Sequence, residues 1–574
     1  MTSFSTPAQC ATIARWTLGT SVALLMLPNL IWLLHAHGPI VWVSAMAVPT
    51  VLLVTTFAVF GNHLWLACLL FAPLIALAPI EALYIANYFH PSSAEILATI
   101  FASNIRETRE YLGGELWVLL LCVAAALFMA GIAAYACWRS QLRWRHPSRA
   151  WVLAIAVATP IATMAVACAT TSGDVSQRLK GGLETVSPLT DAIEAGFPFG
   201  LWQRAVEYRR EWRMMREDVA RLEAFRFHSR RIDALHQRQI YVLVIGESSR
   251  RDHWQLFGYG RPTNPQVMRI SNLFPITNMV SSWSASIMAI PMIVTRKPSS
   301  ERGMNWSEPS IVRVMQEAGF ETYWISNQMP IGRYDSPVSN YAFEAQHIAF
   351  LNHASWLSPG SYDENLVISL QDALAASDRD MFIVLHMMGS HSGYDYRYPA
   401  SFAQFQPTLT TGGAPASVYD RRANSYDNSI LYTDHVLATI IHILDARPEV
   451  SAVWFESDHG EDLPTPTCTL SGHGNGTPYD FEIPAFVWLS NAYASAFPER
   501  IAAFKQNADK QTTSAVTFES LVDMAGLTFP GHESDMSLFS KQWRSRPRIV
   551  NGAWQVDIDH AIFSKRCNLA LPPD

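Results

Sequence analysis

The chain has 574 residues, of which 16% are charged, with a formal net charge of −7 and a mean hydropathy of +0.08. This length exceeds what one hydrophobic core organises, so we expect at least two domains. The composition excludes disorder and a nucleic-acid-binding protein, and it is too apolar for an ordinary soluble protein. Between positions 14 and 89 the only Lys, Arg, Asp or Glu residues are Arg15 and Glu81. Such a stretch is typical of a membrane protein.

Five apolar runs are long enough to cross a membrane, which takes about 20 helical residues. Hydrophobicity continues through four segments after the first, which therefore reads as a retained span and not as a cleaved signal peptide. The predicted spans lie near residues 14–36, 39–60, 63–88, 116–137 and 150–171.

Basic residues between the last two predicted spans indicate the orientation. Segment 138–149 contains four arginines and no acid, a pattern typical of a cytoplasmic loop. Counting spans from this loop puts the N-terminus in the cytoplasm and everything after about residue 172 outside. The sequence thus predicts a multi-pass membrane protein with a membrane domain at 1–171. In a Gram-negative bacterium this is an inner-membrane protein whose remaining part lies in the periplasm.

The exported part is predicted to begin with a linker at residues 172–235. Within it, segment 201–225 mixes apolar, aromatic and arginine residues, as in a helix lying on an anionic membrane surface; a solvated linker helix fits equally. Residues 236–574 are expected to form one α/β domain, because short β-rich runs alternate with amphipathic segments. The runs at 239–246, 320–325, 380–386, 450–457 and 483–489 predict a mainly parallel sheet.

Potential metal ligands follow three of these predicted strands. Chemistry in open α/β sheets gathers beyond the C-terminal strand ends, so we expect these side chains to lie together. Carboxylate and imidazole groups suit Zn²⁺ or, with more oxygen ligands, Mn²⁺. The residues are Glu247, His386, Asp458 and His459 at the strand ends, and His391 and His473 in glycine-containing loops.

A serine-rich segment, NMVSSWSASIMAIPMIVTRK, lies between the strands that precede Glu247 and His386. Small hydroxyl residues before an apolar run are common helix caps. A hydroxyl at a helix start beside a cation is also able to attack phosphorus. Ser284 and Ser286 would point roughly 200° apart on a helix, so they cannot both face one metal. Only Cys468 and Cys567 lie in the exported part, which allows one disulfide.

Several longer motifs resemble the membrane-anchored phosphoethanolamine transferases, a branch of the alkaline phosphatase and sulfatase superfamily. The resemblance covers essentially the whole chain, and it implies a five-helix membrane domain followed by a periplasmic α/β domain of alkaline phosphatase/sulfatase type. The motifs are SSAEILATIFASNIRETREYL, GESSRRDHWQLFGYGRPTNP, HMMGSHSGY, YDNSILYTDHVL, and FESDHGED followed by SGHG and EIPAFVWLS.

The resemblance also implies roles for individual residues. The family nucleophile, normally threonine, stands five residues before a proline, and Ser286 before Pro291 matches that position. The implied ligands of a catalytic Zn²⁺ are Glu247, Ser286, Asp458 and His459. His391 and His473 match histidines that contact the phosphoryl group or a second zinc.

Substrate contacts are implied in two further stretches. Thr99, Ser103 and Glu107 align with a segment that contacts the ethanolamine end of the donor. The family lysine that binds phosphate has no clean counterpart, and the stretch YWISNQMPIGRYDSP offers Asn327, Gln328 and Arg333 instead. In this stretch and in its few cysteines, the chain is more similar to the lipopolysaccharide core heptose transferases than to the lipid A enzymes.

The implied reaction moves phosphoethanolamine from phosphatidylethanolamine to lipopolysaccharide, on core heptose or lipid A, through a covalent serine intermediate that releases diacylglycerol. One alternative is a phosphoglycerol transferase that uses Mn²⁺ and acts on a periplasmic glycan. A second is a non-enzymatic scaffold or transporter, for which Glu81 within a predicted span is the sequence support. A sulfatase is not favoured, because no Cys or Ser followed by x-Pro-x-Arg lies near Ser286.

Overall fold

The computed structural model describes residues 7–36, 39–88, 90–92, 112, 115–170, 192–193, 195–232, 235–303, 307–328, 337–352, 361–411 and 416–573. The chain divides into two compact units, the first within residues 1–210 and the second containing residues 211–574. The domain boundaries at residues 171 and 235 stay predictions.

Apolar helices build the first unit. Among its described residues, four helices are long and apolar enough to cross a membrane. Helical residues Pro39–Val59 cover the second predicted span, but a π-helical turn at Val43–Ala47 divides it into helix Pro39–Trp42 and helix Val48–Val59. Pro49 has no amide hydrogen to donate to the preceding turn, which accounts for this irregularity. The four long helices are Pro7–His35, Leu64–Tyr88, Glu115–Ser140 and Ser148–Thr170.

Small residues let three of these helices pack closely. The helix Glu115–Ser140 contacts both Leu64–Tyr88 and Pro7–His35. Its buried face is built from alanine and cysteine side chains, which allow helix backbones to approach in an apolar environment. The buried residues are Ala126, Ala130, Ala133, Ala134, Ala136 and Cys137.

Glu81, the acidic residue within the third predicted span, has structural partners. Its Oε1 atom lies 2.9 Å from Nη1 of Arg204, and both side chains are buried. The backbone N–H and the hydroxyl of Ser92 also donate to this carboxylate, at 3.1 and 2.8 Å. Because the charge is neutralised and hydrogen-bonded, Glu81 no longer supports a transport path.

A seven-stranded sheet forms the centre of the second unit. Its strands are β1 Gln239–Gly246, β2 Leu273–Pro275, β3 Glu321–Ser326, β4 His347–Phe350, β5 Met381–His386, β6 Val450–Ser457 and β7 Ala485–Leu489. Their order in the sheet is β2-β7-β6-β1-β5-β3-β4, and all neighbouring pairs are parallel except β2 with β7 and β7 with β6.

Both faces of this sheet are buried, which explains why its central strands read as continuous apolar runs. Tyr241 and Leu243 of β1 belong to the core on one face, whereas Ile240 and Val242 belong to the core on the other. Helices Ser286–Val294, Ile311–Glu317 and Thr517–Met524 cover the first face, and Glu364–Ala376 and Val418–Asp445 cover the second.

The five predicted strands are confirmed to within two residues, and the mainly parallel sheet with them. Strands β2 and β4 were not predicted, because three or four residues carry too little pattern. The predicted linker helix is also present, at Phe199–Ala224; its place on a membrane surface stays a prediction. Further helices are Pro337–Ala342, Pro478–Phe481, Asn491–Ala496 and Pro498–Asn507.

Short strands outside the seven-stranded sheet also pair, and each pair includes a strand from the C-terminal third of the chain. Two-residue and three-residue strands form four separate pairs: Arg230–Arg231 with Leu527–Thr528, Met279–Val280 with Thr512–Thr513, Ile549–Asn551 with Gln555–Asp557, and Ile562–Phe563 with Ala570–Leu571. The disulfide that the sequence allows is present between Cys468 and Cys567. It ties a loop after β6 to the last of these pairs.

Candidate active site

The parallel register of β1 and β6 brings two sequence-distant motifs to one edge of the sheet. Gly246 at the end of β1 lies opposite Ser457 at the end of β6. The next residues of the two strands are Glu247 on one side and Asp458 with His459 on the other. These three side chains therefore meet beyond the C-terminal strand ends, as the rule for open α/β sheets predicts.

Glu247, Asp458 and His459 form a buried group with the composition of a metal site. Their ligand atoms all lie within 4.8 Å of one another. Nε2 of His459 is 3.5 Å from Oε1 of Glu247 and 3.4 Å from Oδ2 of Asp458. Burial raises the pKa of both carboxyl groups and lowers the pKa of the imidazole. A divalent cation would offset the cost of burying two carboxylates together, so the residues fit a metal.

Backbone groups orient two of these ligands. Oδ1 of Asp458 accepts from the N–H groups of Ser248 and His459, at 3.1 and 2.7 Å, which leaves Oδ2 buried without a hydrogen-bond donor. Nδ1 of His459 lies 2.7 Å from the carbonyl oxygen of Gly460. Nδ1 therefore carries the proton, and the Nε2 lone pair is directed at the group.

Ser286 is the first residue of the helix Ser286–Val294 and the hydroxyl that contacts this group. Its Oγ atom lies 3.2 Å from Oε2 of Glu247 and 3.0 Å from Nε2 of His459. Ser284 precedes the helix, so the expected helical angle between the two serines does not apply. Its Oγ lies against Gly552, 3.2 Å from where a Cβ on that glycine would be, and so only one of the two serines adjoins the ligands.

The two loop histidines lie beside His459. The ring centres of His459 and His473 are 4.2 Å apart, and those of His473 and His391 are 6.1 Å apart. Nδ1 of His473 lies 3.4 Å from Oε2 of the buried Glu461. His473 thus adjoins a member of the ligand group, and His391 adjoins His473.

His386 lies at a strand end but is not part of the ligand group among the residues described. Its Nδ1 atom is 3.1 Å from the Ser326 hydroxyl on the neighbouring strand. Burial lowers the pKa of His386 to about 4, so its imidazole is neutral. A strand-end position alone did not distinguish this histidine from the ligands.

Gln328 is a site residue that the sequence analysis did not single out from its neighbours. Its side-chain amide donates to Oε2 of Glu247 at 3.3 Å and to the carbonyl of Met387 at 2.8 Å. Asn327 instead donates to Asp363, 2.8 Å away, which also accepts two backbone N–H groups of the loop after β5. Asn327 therefore supports that loop rather than pointing to the ligand group.

The other predicted substrate contacts lie outside the described residues; they are Arg333, Thr99, Ser103 and Glu107.

Two glycines permit the close approach of chain segments around the ligands. Gly389 has φ +49°, and an added Cβ would lie 2.8 Å from the carbonyl oxygen of Glu247. A Cβ on Gly460 would overlap the carbonyl oxygen of Tyr479. Both motif glycines, in HMMGSH and SDHG, are thus required by packing against the site.

Known proteins similar in sequence are phosphoethanolamine transferases. Phosphoethanolamine transferase EptC of Escherichia coli K12 is 25% identical over 513 residues, which cover 87% of this chain and 84% of that protein. Phosphoethanolamine transferase CptA of Salmonella typhimurium is 25% identical over 520 residues, with the same coverage. Kdo(2)-lipid A phosphoethanolamine 7''-transferase of E. coli K12 is 29% identical over 303 residues, 50% of this chain and 52% of that protein.

Solved structures agree with both parts of the predicted architecture. The C-terminal periplasmic domain of E. coli EptC in complex with Zn is 26% identical, with a TM-score of 0.53, covering 59% of this chain and 97% of that one. The integral membrane protein EptA of Neisseria meningitidis is 18% identical, with a TM-score of 0.64, covering 92% of this chain and 98% of that one. The predicted fold class is therefore confirmed.

The sulfatase family model matches residues 239–527, which include all seven strands, Ser286 and the three-residue ligand group. The predicted resemblance to membrane-anchored phosphoethanolamine transferases is confirmed by the relatives above. The chain belongs to the sulfatase family.

Proposed function

We propose that this protein transfers phosphoethanolamine from phosphatidylethanolamine to lipopolysaccharide, with Ser286 as the nucleophile. The observation that carries this proposal is the position of the Ser286 hydroxyl, within hydrogen-bond distance of both a buried carboxylate and a buried imidazole. The relatives that match over most of their length are phosphoethanolamine transferases, and the name of a third relative includes lipid A.

One zinc ion is the metal we propose for this site. Glu247, Asp458 and His459 supply two oxygens and one nitrogen, and Ser286 completes a set of four ligands, the number that zinc prefers. A zinc ion bound there would lower the pKa of the serine hydroxyl and withdraw charge from the phosphoryl oxygens. The Zn complex of the similar EptC domain supports this choice. Neither Mn²⁺ nor a second zinc is part of the proposal.

The proposed reaction consists of two displacements at phosphorus. Oγ of Ser286 loses its proton and forms a bond to phosphorus as the bond to the glycerol oxygen breaks, and that oxygen takes up a proton as diacylglycerol leaves. A sugar hydroxyl of the acceptor then loses its proton and attacks the same phosphorus, the bond from phosphorus to Oγ breaks, and Ser286 regains a proton. For His391 and His473 we propose contacts to the phosphoryl oxygens, which the 4.2 Å between the rings of His473 and His459 and the 6.1 Å between those of His473 and His391 support. Thr99, Ser103, Glu107 and Arg333 stay predicted substrate contacts.

The covalent intermediate provides the test. The full chain in detergent is incubated with phosphatidylethanolamine, and its peptides are analysed by mass spectrometry. A phosphoethanolamine adduct is expected on Ser286 and is expected to be absent from Ser286→Ala. Ser284→Ala is the matched control and should retain the adduct. An adduct on Ser284, or an equal adduct in Ser286→Ala, would overturn the assignment of the nucleophile.

A second arm tests the donor and the acceptor. Phosphatidylglycerol in place of phosphatidylethanolamine is expected to leave no adduct, whereas a phosphoglycerol adduct would favour the alternative transferase. Mass spectrometry of lipopolysaccharide from cells with and without the protein should show one added phosphoethanolamine. Its position on core heptose or on lipid A identifies the acceptor.

A further inference from the structure

A buried arginine in the first unit has a guanidinium edge that no group among the described residues accepts from. Arg204 is 2% exposed and pairs through Nη1 with Glu81. The same nitrogen donates to the hydroxyl of Ser92 at 2.8 Å and to the Ser92 carbonyl. Its Nε and Nη2 atoms are also buried, yet neither has a hydrogen-bond acceptor in the part of the chain that the structure describes. Because burial of unpaired N–H groups on a charged side chain is costly, this edge calls for an acceptor.

The position of Arg204 is set by the segment just before it. Asn29 in the first helix donates to the carbonyl of Phe197 at 2.7 Å and accepts from the N–H of Phe197 at 2.9 Å. Gly196 packs so closely that an added Cβ would overlap the carbonyl of Ser44. These contacts anchor the start of helix Phe199–Ala224 in the first unit. The guanidinium is therefore held in place before any ligand arrives.

The free edge has the geometry that binds a phosphate group. Nε and Nη2 lie on one side of the planar guanidinium, and their parallel N–H bonds match two oxygens of a phosphate. With Nη1 bonded to Glu81, Arg204 is able to bridge two anions. The predicted topology puts Tyr88, the last residue of the Glu81 helix, at the outer end of its span, near the depth of phospholipid phosphates. The guanidinium contacts Ser92, four residues beyond Tyr88, and so reaches this end of the span.

We propose that Arg204 binds the phosphodiester group of a membrane phospholipid through Nε and Nη2. The ligand is defined by its phosphate and not by its alcohol, so phosphatidylethanolamine and phosphatidylglycerol both qualify. This site is separate from Ser286, and the proposal does not depend on the transferase reaction.

Equilibrium binding of fluorescent phospholipids to the full chain in detergent tests the proposal. The chain carries Ser286→Ala, so that no turnover disturbs the measurement. Arg204→Lys keeps a cation beside Glu81 but lacks the two-nitrogen edge, and it is expected to weaken binding of both phospholipids about tenfold. Diacylglycerol, which has no phosphate, should bind equally to both proteins.

Arg149→Lys is the matched control. All three nitrogens of Arg149 have acceptors, on Ala58, Asn62 and Val59, so this change should leave phospholipid affinity unaltered. Equal affinity of Arg204→Lys and the parent for phospholipid would overturn the proposal and leave Arg204 a structural partner of Glu81. Binding of inorganic phosphate with no binding of phospholipid would overturn the lipid assignment.

Discussion

Glu247, Asp458 and His459 share one buried space beyond the ends of β1 and β6. Burying the two carboxylates there without a cation costs free energy. Glu247 and Asp458 both have raised pKa values because of burial, and for Glu247 the neighbouring Asp458 adds to it. With both carboxyl groups ionised, the ligand group is therefore unstable on its own, and a divalent ion would stabilise it. Its metal content should respond sharply to single isosteric changes.

Asp458→Asn should remove bound zinc and abolish transfer, because an amide is a weak zinc ligand. Glu456→Gln is the matched control on the same strand. Burial raises the pKa of Glu456 to about 8, so this carboxyl is already neutral at neutral pH and its amide should keep zinc. Metal analysis of the purified full chain measures both. Full zinc content in Asp458→Asn would contradict the ligand assignment.

Gly389→Ala should displace Glu247, because the new Cβ would lie 2.8 and 2.9 Å from its backbone oxygen and nitrogen. We expect zinc affinity to fall about tenfold or more. Backbone strain at positive φ adds a separate cost of roughly 1–2 kcal/mol. Gly319→Ala is the control, since Gly319 also has positive φ but nothing within 4 Å. Competition with a chelator compares the two; equal affinity would show that Gly389 serves conformation only.

At the scale of elements, the disulfide between Cys468 and Cys567 closes a loop of 99 residues. The loop that contains Cys468 pairs with itself between Asp462 and Gly472, directly before His473. The covalent tie thus restrains the segment that presents an imidazole to His459. A constraint of this length stabilises the folded chain mainly by restricting the unfolded one.

Cys468→Ser with Cys567→Ser should lower the stability of the second unit by about 4 kcal/mol. The double variant should bind substrate more weakly but keep most of its zinc. The reason is that the change loosens the segment that carries His473 and leaves the ligand group in place. Thermal melting with and without reductant measures the stability, and the double variant should be insensitive to reductant. An unchanged Tm would show that the loop is held by its other contacts.

Helix Thr517–Met524 places a second acidic pair against His532. Nε2 of His532 lies 3.4 Å from Oε2 of Glu519 and 3.3 Å from Oδ1 of Asp523. Burial raises the pKa of Glu519 from 4.5 to about 8. The folded chain then holds this proton more tightly than the unfolded chain. Its contribution to stability is complete below pH 4.5 and is lost as pH rises through about 8.

Glu519→Gln should therefore flatten the fall of Tm between pH 4.5 and about 8, since an amide does not titrate. The variant and the parent should melt alike at the acidic end, and the variant should melt higher at the alkaline end. Glu499→Gln, at a side chain that is 84% exposed, is the control and should leave the profile unchanged. A parallel profile for Glu519→Gln would contradict the raised pKa.

At the scale of the whole molecule, the predicted topology requires residues 172–574 to be exported. A reporter that is active only in the periplasm should be active when fused after residue 574 and inactive when fused within segment 138–149. The physical reason is the cost of moving four clustered arginines across the membrane. Activity at the internal fusion would reverse the orientation and remove access to a periplasmic acceptor.

The amino-acid sequence by itself determined the apolar helices, the five longer strands and the order of the motifs. These features depend on local composition: a run of about 20 apolar residues is helical in a membrane, and a β-branched run with both faces buried is a central strand. The same local patterns singled out Glu247, Asp458 and His459, because they directly follow strands, whereas the family resemblance selected Ser286 over Ser284.

Only the tertiary structure decided which of these residues meet. His386 stands at a strand end just as Glu247 does, but the register of the sheet sets it beside Ser326. Gln328 contacts Glu247, which lies 81 positions earlier in the sequence. Arg204 contacts Glu81, which lies 123 positions earlier. Contacts of this kind depend on how strands pair and helices pack, and no periodicity along the chain encodes them.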